Sequence, residues 1–277
     1  MSERRFDAIL LDLDGTLVRS DGRIEARLRS RLHELHAEGV RVMIATGRSE
    51  GGTLEVLAEL PFDTPALVFN GAGLYCPVEE RLLEERLLAD RAVSDLIALA
   101  TREELLPVVV GARRKFAFPP RNRDEEKALR YFHDLEIVAP DEIPTEFVIR
   151  VTLFSDSHTD SGALARAVHE HLRRPVYVTD FPLSWLPAHR DSSLLVADIQ
   201  PPCRGKAEGL RVLEERYGIP AERVVAVGDA TNDIPMLEGA GLGVAMGDGM
   251  PEARAAADRV IGPNDSDALL ELLNELF

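Results

Sequence analysis

Leu10-Leu11-Asp12-Leu13-Asp14-Gly15-Thr16 decides how the rest of this chain is read. The apolar run Ala8-Ile9-Leu10-Leu11 delivers two aspartates, one residue apart, into a glycine turn. A buried strand ending in a turn is ordinary. Two carboxylates at its C-terminal end are not, because open α/β sheets bind ligands at that edge. Two like charges repel by about 4 kcal/mol at ~4 Å if the effective dielectric is ~20. A cation, a shared proton or free exposure to water has to offset that repulsion. Asp-x-Asp-Gly also opens a helix-loop-helix calcium loop. That loop needs a glutamate at its twelfth position, where this chain has Arg23, and the flanks here read as strand rather than helix. A plain turn with both aspartates solvated stays open from this segment alone.

The chain has 277 residues and is 45% hydrophobic, enough for a large core in one big domain or two smaller ones. Acids outnumber bases 48 to 32, for a net charge of −16. Such a balance argues against bulk binding to nucleic acid or to an anionic membrane. An anionic substrate would then need positive charge concentrated locally. Cys76 and Cys203 are far apart and form no metal-spaced pair, as expected of a reduced cytoplasmic protein. The opening Met1-Ser2-Glu3-Arg4-Arg5-Phe6 reads without a signal-peptide pattern, and no apolar run reaches ~18 residues. Oligomeric state is not written in these features; a monomer or small homo-oligomer is expected.

The first third alternates strand and helix. Strand 8–13 precedes a turn at Ser20-Asp21-Gly22 and a helix with Leu28, Leu32 and Leu35 on one face, ending at Gly39. Strand 40–45 leaves through Thr46-Gly47-Arg48 into a helix carrying Leu54, Leu57 and Ala58 as far as Leu60. A third strand, 65–69, leaves through Asn70-Gly71. This β-α-β-α-β order predicts a parallel sheet with right-handed crossovers. The pattern changes near Leu82. A helix stripe (Val93, Leu96, Ile97, Ala100), a hairpin pairing 108–110 with 116–118, a helix over 124–136, strand 147–154, a helix over 161–173, strand 176–179 and extended pieces near 184–187 predict an α+β unit. From Leu194 the first pattern resumes, with an extended stretch over 194–199. A helix starts at Gly205-Lys206, carries Leu210, Leu213 and Tyr217 on one face and closes at Gly218. Strand 224–227 runs into Gly228-Asp229, a helix passes Met236-Leu237, and a last strand covers 243–246. The expected architecture is a doubly wound, Rossmann-like α/β core over 1–82 and 191–277, interrupted by an inserted α+β cap over 83–190.

Further polar clusters fall at strand or helix ends. Thr46 follows the second strand, where it could N-cap the next helix or offer a phosphate to a helix start. Lys206 opens a helix against its dipole, dull as a surface lysine but sensible if aimed at an anion. Val227-Gly228-Asp229-Ala230-Thr231-Asn232-Asp233 repeats the opening theme of an apolar strand ending in carboxylates. In a parallel sheet both acidic clusters lie on one edge, which brings Asp12, Asp14, Asp229 and Asp233 together. Carboxylates around one point, with few protein ligands, suit Mg²⁺.

These segments, in this order, resemble the haloacid dehalogenase superfamily. Asp12-Leu13-Asp14-Gly15-Thr16 is similar to its first motif, Thr46 within Ala45-Thr46-Gly47-Arg48 to the second, Lys206 to the third, and Gly228-Asp229-Ala230-Thr231-Asn232-Asp233 to the fourth. The insertion resembles the larger α+β cap of the Cof-type branch, as do Asn70-Gly71-Ala72 and Gly243-Val244-Ala245-Met246. Met246-Gly247-Asp248-Gly249 departs from that branch, which bears on specificity rather than mechanism.

The resemblance implies a Mg²⁺-dependent phosphatase of a small, sugar-phosphate-like metabolite. Asp12 would be the nucleophile that forms an aspartyl-phosphate, and Asp14 the acid/base. The metal would be held by the Asp12 carboxylate, the Asp14 backbone carbonyl and Asp229. Asn232 and Asp233 would hold its waters or Lys206, and Thr16 would orient Asp14 or the turn. Thr46 and Lys206 would bind phosphoryl oxygens, with Gly47, Arg48, Asn70 and Gly71 beside them on the substrate. The alternatives are a phosphomutase of the phosphomannomutase type and a catalytically silent phosphate-ligand-binding protein. A mutase must grip a second phosphate, and Arg113-Arg114-Lys115 at the hairpin turn is the basic segment that could do so, or else a solvated turn. Arg48 serves the site or salt-bridges nearby. His33 and His36 read as a solvated helix edge, Trp185 as packing, and Cys203 as a thiol without a histidine partner.

Overall fold

A computed structural model of the chain describes residues 4–60, 63–112, 114–130, 132, 134–186 and 189–277. In chain order the elements begin with β1 (Ala8–Leu11), α1 (Ala26–Ala37), β2 (Arg41–Ile44), α2 (Glu50–Ala58), β3 (Ala66–Val68), β4 (Gly73–Cys76) and β5 (Arg81–Glu85). Next come α3 (Asp90–Arg102), β6 (Leu106–Gly111), β7 (Lys115–Ala117), α4 (Arg123–Leu129), β8 (Leu135–Ile137), β9 (Val148–Ser155), α5 (Ser161–His171), β10 (Tyr177–Pro182) and β11 (Leu195–Gln200). The chain closes with α6 (Glu208–Tyr217), β12 (Val224–Gly228), α7 (Ile234–Gly239), β13 (Leu242–Ala245), α8 (Pro251–Ala256), β14 (Arg259–Val260) and α9 (Ala268–Leu276). The chain divides into two compact units, Met1–Glu85 with Arg204–Phe277, and Arg86–Cys203.

In the first unit five parallel strands take the order β14-β13-β12-β1-β2. β1 is wholly apolar and fully buried, as a parallel strand covered on both faces requires. Gly209 on α6 faces it: a Cβ there would stand 2.7 Å from the Leu10 side chain, so only glycine lets this helix lie so close. Leu28, Leu32 and Leu35 form the buried face of α1, as their spacing predicts. The chain leaves β1 toward β2 on one side, and leaves β12 toward β13 on the other. The gap between β1 and β12 is therefore the topological switch point, where open α/β sheets place their ligands.

The third strand departs from expectation. β3 touches the parallel sheet through one bridge, Ala45 to Leu67, and otherwise pairs antiparallel with β4, which pairs with β5. The tight return through Phe69–Gly71 brings β4 back beside β3 and supplies near-neighbour antiparallel hydrogen bonds in place of a longer parallel ladder.

The second unit is a six-stranded sheet, β10-β11-β9-β6-β7-β8, antiparallel except for β7 with β8. α3 and α5 bury Leu96, Leu99, Leu164 and Val168 against Val109, Val151, Leu153, Ala197 and Ile199. The expected return to the core at residue 191 is corrected here. Residues 195–200 are β11, hydrogen-bonded between β9 and β10, so the chain re-enters the first unit only at Arg204. An apolar extended run looks alike in either sheet, and its pairing partner decides the matter. Residues 83–85, expected in the insertion, complete β5 of the first unit. The helix expected over 124–136 stops at Leu129, and the pieces near 184–187 include a short 3₁₀ turn, Leu183–Trp185.

Leu153 is fully buried in the second unit's core. Leu153→Ala is expected to lower stability by about 2–5 kcal/mol, read from the urea midpoint. A loss below about 1 kcal/mol would mean that this core is not closely packed.

Candidate active site

β1 and β12 run in register, Leu11 beside Val227, so Asp12 and Asp229 emerge from neighbouring strands at one edge. Asp12 N–H still donates to the Val227 carbonyl, at 3.0 Å. Beyond Asp229, a 3₁₀ turn over Thr231–Asp233 swings Asp233 back, and one of its oxygens accepts from the Asp229 and Ala230 N–H groups, both at 2.9 Å. The other accepts from Lys206 Nζ at 2.5 Å, and the same ammonium donates to Asp12 Oδ1 at 2.5 Å. Lys206 stands in the 3₁₀ turn Gly205–Ala207 just before α6 and is buried, like both of its partners.

Asp12, Asp229 and Asp233 offer carboxylate oxygens within 4.8 Å of one another. Burial raises the Asp12 carboxyl to about 7; Lys206 pulls it down, while Asp233 and Asp14 push it up. Burial also lifts Asp229 well above the usual carboxylate range, and Asp12 and Asp233 add to the rise. For Lys206 burial works toward neutrality, and the two carboxylates outweigh it, holding the ammonium charged. One ammonium thus faces three buried acids, and a hard divalent cation matches both the oxygen donors and the charge deficit.

Gly15 makes the closeness feasible. It sits at φ +85, and a Cβ there would fall on the Asp229 carboxylate. Thr16 Oγ1 donates to Asp229 Oδ1 at 3.3 Å, so its partner is Asp229 rather than Asp14. Asp14 has the opposite environment. Its side chain is 47% exposed and held by Arg48, whose Nε donates to Oδ2 at 2.8 Å and Nη2 to Oδ1 at 2.5 Å. Arg48 thus forms a salt bridge with Asp14 at this edge.

Thr46 does not N-cap the following helix. Ser49 does, accepting from Gly52 N–H, while Thr46 Oγ1 accepts from Arg48 N–H at 3.1 Å. Thr46 lies buried at the sheet edge, its N–H donating to the Leu67 carbonyl. Phe69, Asn70 and Gly71 all have positive φ, and Asn70 Oδ1 accepts from Asn232 Nδ2 at 2.9 Å. Asn232 is thereby directed to Asn70 rather than to the acids. Gly47 packs on the Asn70 side chain, and a Cβ on Gly71 would strike the Gly205 carbonyl, which seats this loop against the turn that carries Lys206. The sequence reading misses two backbone contacts of Asp229: its carbonyl accepts from Met250 N–H at 2.6 Å, and Gly249 packs on its backbone. Proline at the first position of α8 marks Gly249-Met250 as a helix entry, but not which loop it would touch.

Outside this edge, Arg114 is engaged bidentately by Glu136 and lies over the Phe116 ring, and Lys115 is part of β7; Arg113 lies outside the described residues. His33 Nε2 meets the Glu59 carbonyl and His36 pairs with Asp63. Trp185, expected to pack, is 41% exposed. No helix among the described residues is long and apolar enough to cross a membrane.

A family model described as haloacid dehalogenase-like hydrolase matches residues 9–273. The chain belongs to that family. Its acids, lysine and threonine thus sit at the sheet edge of a family hydrolase. The chain is 28% identical, over 97% of its length and 97% of the relative's, to the 5-amino-6-(5-phospho-D-ribitylamino)uracil phosphatase YitU of Bacillus subtilis. It is 29% identical to the phosphoglycolate phosphatase of Methanopyrus kandleri, over 97% of this chain and 96% of that one. A solved haloacid dehalogenase-like hydrolase from Bacteroides thetaiotaomicron superposes with a TM-score of 0.77 at 26% identity, covering 98% of this chain and 100% of that one.

Lys206→Ala would leave Asp12 and Asp233 buried without their cation. A stability loss of about 3–5 kcal/mol at neutral pH is expected in denaturant titration, and a loss under about 1 kcal/mol would show that the ammonium does not hold the acids together.

Proposed function

We propose that this protein is a Mg²⁺-dependent phosphomonoester hydrolase of small, hydroxylated phosphorylated metabolites, working through an aspartyl-phosphate on Asp12. The observation that carries this reading is the contrast between two carboxylates on one turn: Asp12 buried against Lys206, and Asp14 exposed and clamped by Arg48. A nucleophile profits from a fixed, water-poor position, whereas an acid/base has to exchange protons with solvent. In this proposal Asp12 attacks phosphorus in line, the P–O bond to the leaving group breaks, and Asp14 gives that oxygen its proton. Asp14 then takes a proton from water as the water attacks the phosphoaspartate, which frees Asp12 and inorganic phosphate. Lys206 and Thr46 neutralise and position the phosphoryl oxygens.

Asp12, Asp229 and the Asp14 backbone carbonyl are the groups proposed to hold Mg²⁺. When bound it would neutralise phosphoryl charge and reduce repulsion between the substrate and the acids. Asp233 holds Lys206, Thr16 steadies Asp229, and Asn232 steadies Asn70. The second unit is proposed as the cap that selects the organic part of the substrate. YitU and the phosphoglycolate phosphatase act, by their names, on small phosphorylated metabolites, which supports the substrate class. A mutase would need cations for a second phosphate, and Arg114 is already matched by Glu136.

Asp12→Asn and Asp14→Asn are each expected to abolish phosphate release from a panel of phosphorylated metabolites, by about 10³-fold or more, with circular dichroism unchanged. If Asp12→Asn kept more than about a tenth of wild-type kcat/KM, the covalent mechanism would be wrong.

The raised Asp12 carboxyl gives a second test. Near pH 6 Asp12 is mostly protonated and its proton competes with the cation; near pH 8 it is mostly ionised. Mg²⁺ is therefore expected to bind more tightly as pH rises across that window, and to release protons at the lower end. Titration calorimetry in buffers of different ionisation enthalpy reads both. A Kd independent of pH would remove Asp12 from the ligand set.

A further inference from the structure

Between β14 and α9 the chain runs through a loop, residues 263–267, which leaves the parallel sheet at the same edge as the acids. Gly247 N–H donates to the Gly262 carbonyl at 3.1 Å, so the exits of β13 and β14 run side by side. Asn264 is buried in this loop and ties two neighbours together. Its Nδ2 donates to the Val18 carbonyl at 2.9 Å, and its backbone N–H donates to Asp248 Oδ1 at 2.9 Å. Asn264 Oδ1 has no hydrogen-bond partner among the described residues, so the amide acts through its donor alone.

Both tied segments run to groups proposed above to hold the cation. Val18 N–H donates to the Leu13 carbonyl at 2.8 Å, and Val18 forms a bridge with Asp14, which closes the turn that carries Asp14. Asp248 precedes Gly249, which packs on the Asp229 backbone, and Met250, whose N–H donates to the Asp229 carbonyl at 2.6 Å. Asp248 belongs to the stretch in which this chain departs from the Cof-type branch, so the departure supplies one end of the tie. Other ties between the 263–267 loop and the segment after Asp14 lie at or near the surface: Ser20 with Asp265, and Arg19 and Arg27 with Asp267. Such contacts hold weakly in solvent. The bond from Asn264 to Val18 is buried, where the low dielectric strengthens it.

We propose that Asn264 is a positioning residue for the metal-holding groups: by tying Val18 to Asp248 it fixes the turn of Asp14 relative to the turn of Asp229. The proposal rests on the Mg²⁺ assignment in the phosphatase reading above. Asn264 acts through Val18 and Asp248, not on the reacting atoms.

The test titrates the full chain with Mg²⁺ by calorimetry. Wild type is compared with Asn264→Leu, which keeps the side-chain size and removes the donor, with Asp248→Ala, which frees the other end of the tie, and with Asp267→Ala, which loosens only the surface ties. Asn264→Leu is expected to weaken Mg²⁺ binding by about tenfold, Asp248→Ala in the same direction, and Asp267→Ala not at all. Hydrogen exchange over residues 13–20 quickens in metal-free Asn264→Leu, while exchange in α3 and α5 stays as in the wild type. Phosphate release from p-nitrophenyl phosphate falls about tenfold at limiting Mg²⁺ and returns to near the wild-type rate at saturating Mg²⁺, a rescue that a general loss of fold would not give. Unchanged Mg²⁺ affinity in Asn264→Leu and Asp248→Ala, an equal loss in Asp267→Ala, or a rate loss that saturating Mg²⁺ leaves in place would overturn the proposal. Should Asn264→Leu fail to fold, Asp248→Ala decides it on the same readings, because Asp248 is exposed. Wild-type protein that takes up no Mg²⁺ overturns the metal assignment and this proposal together. Wild-type protein that binds Mg²⁺ and responds to Asn264→Leu, but releases no phosphate, keeps this proposal and ends the phosphatase reading.

Discussion

A single buried ammonium organises this protein's sheet edge. Lys206 bridges Asp12 at the end of β1 and Asp233 beyond β12, and it opposes the burial that drives the Asp12 carboxyl toward its neutral form. Buried ion pairs stabilise folds poorly, because desolvation consumes most of the Coulomb gain. Their value here is placement. With Lys206 held by both acids, the turn ahead of α6 is tied to the strand ends, and the Phe69–Gly71 loop packs on that same turn through Gly71 and Gly205.

The topology supplies the rest of the constraint. Parallel strands β1 and β12 are adjacent, and their onward connections leave in opposite directions, so a crevice opens above them. Two glycines let side chains crowd into it. Gly15 gives the Asp229 carboxylate room, and Gly228 does the same for Asp233. Neither place could hold a methyl group without moving a carboxylate. Local backbone cost also gathers here, in three successive residues of positive φ from Phe69 to Gly71, and the contacts of Asn70 with Asn232 and Thr46 over-determine that conformation.

Environment separates two chemically identical side chains on one turn. Asp12 lies with Asp229 and Asp233, where burial and like charge raise its carboxyl to about 7. Asp14 leans out to Arg48, whose guanidinium is in turn held more basic by that bond. In the second unit Asp198 accepts from Thr152 and pairs with Arg150, while Gln200 finds no hydrogen-bond partner among the described residues.

The amino-acid order alone determined the acidic edge. The apolar four-residue runs before Asp12 and Asp229, set in an alternation of strand and helix, read as buried strands of one parallel sheet, and such strands carry their exits to one side. The leucine spacing of α1 and the left-handed Gly218 after α6 were equally legible, because both are local. Tertiary structure alone decided what depended on a distant partner. Residues 195–200 read as an apolar strand of either unit until β9 and β10 claimed them. Thr16 turned to Asp229, Arg48 to Asp14 and Asn232 to Asn70, each a contact across at least 34 residues of sequence. Pattern and propensity describe a residue's neighbours along the chain; a hydrogen bond between loops exists only once the sheet has set their separation and direction.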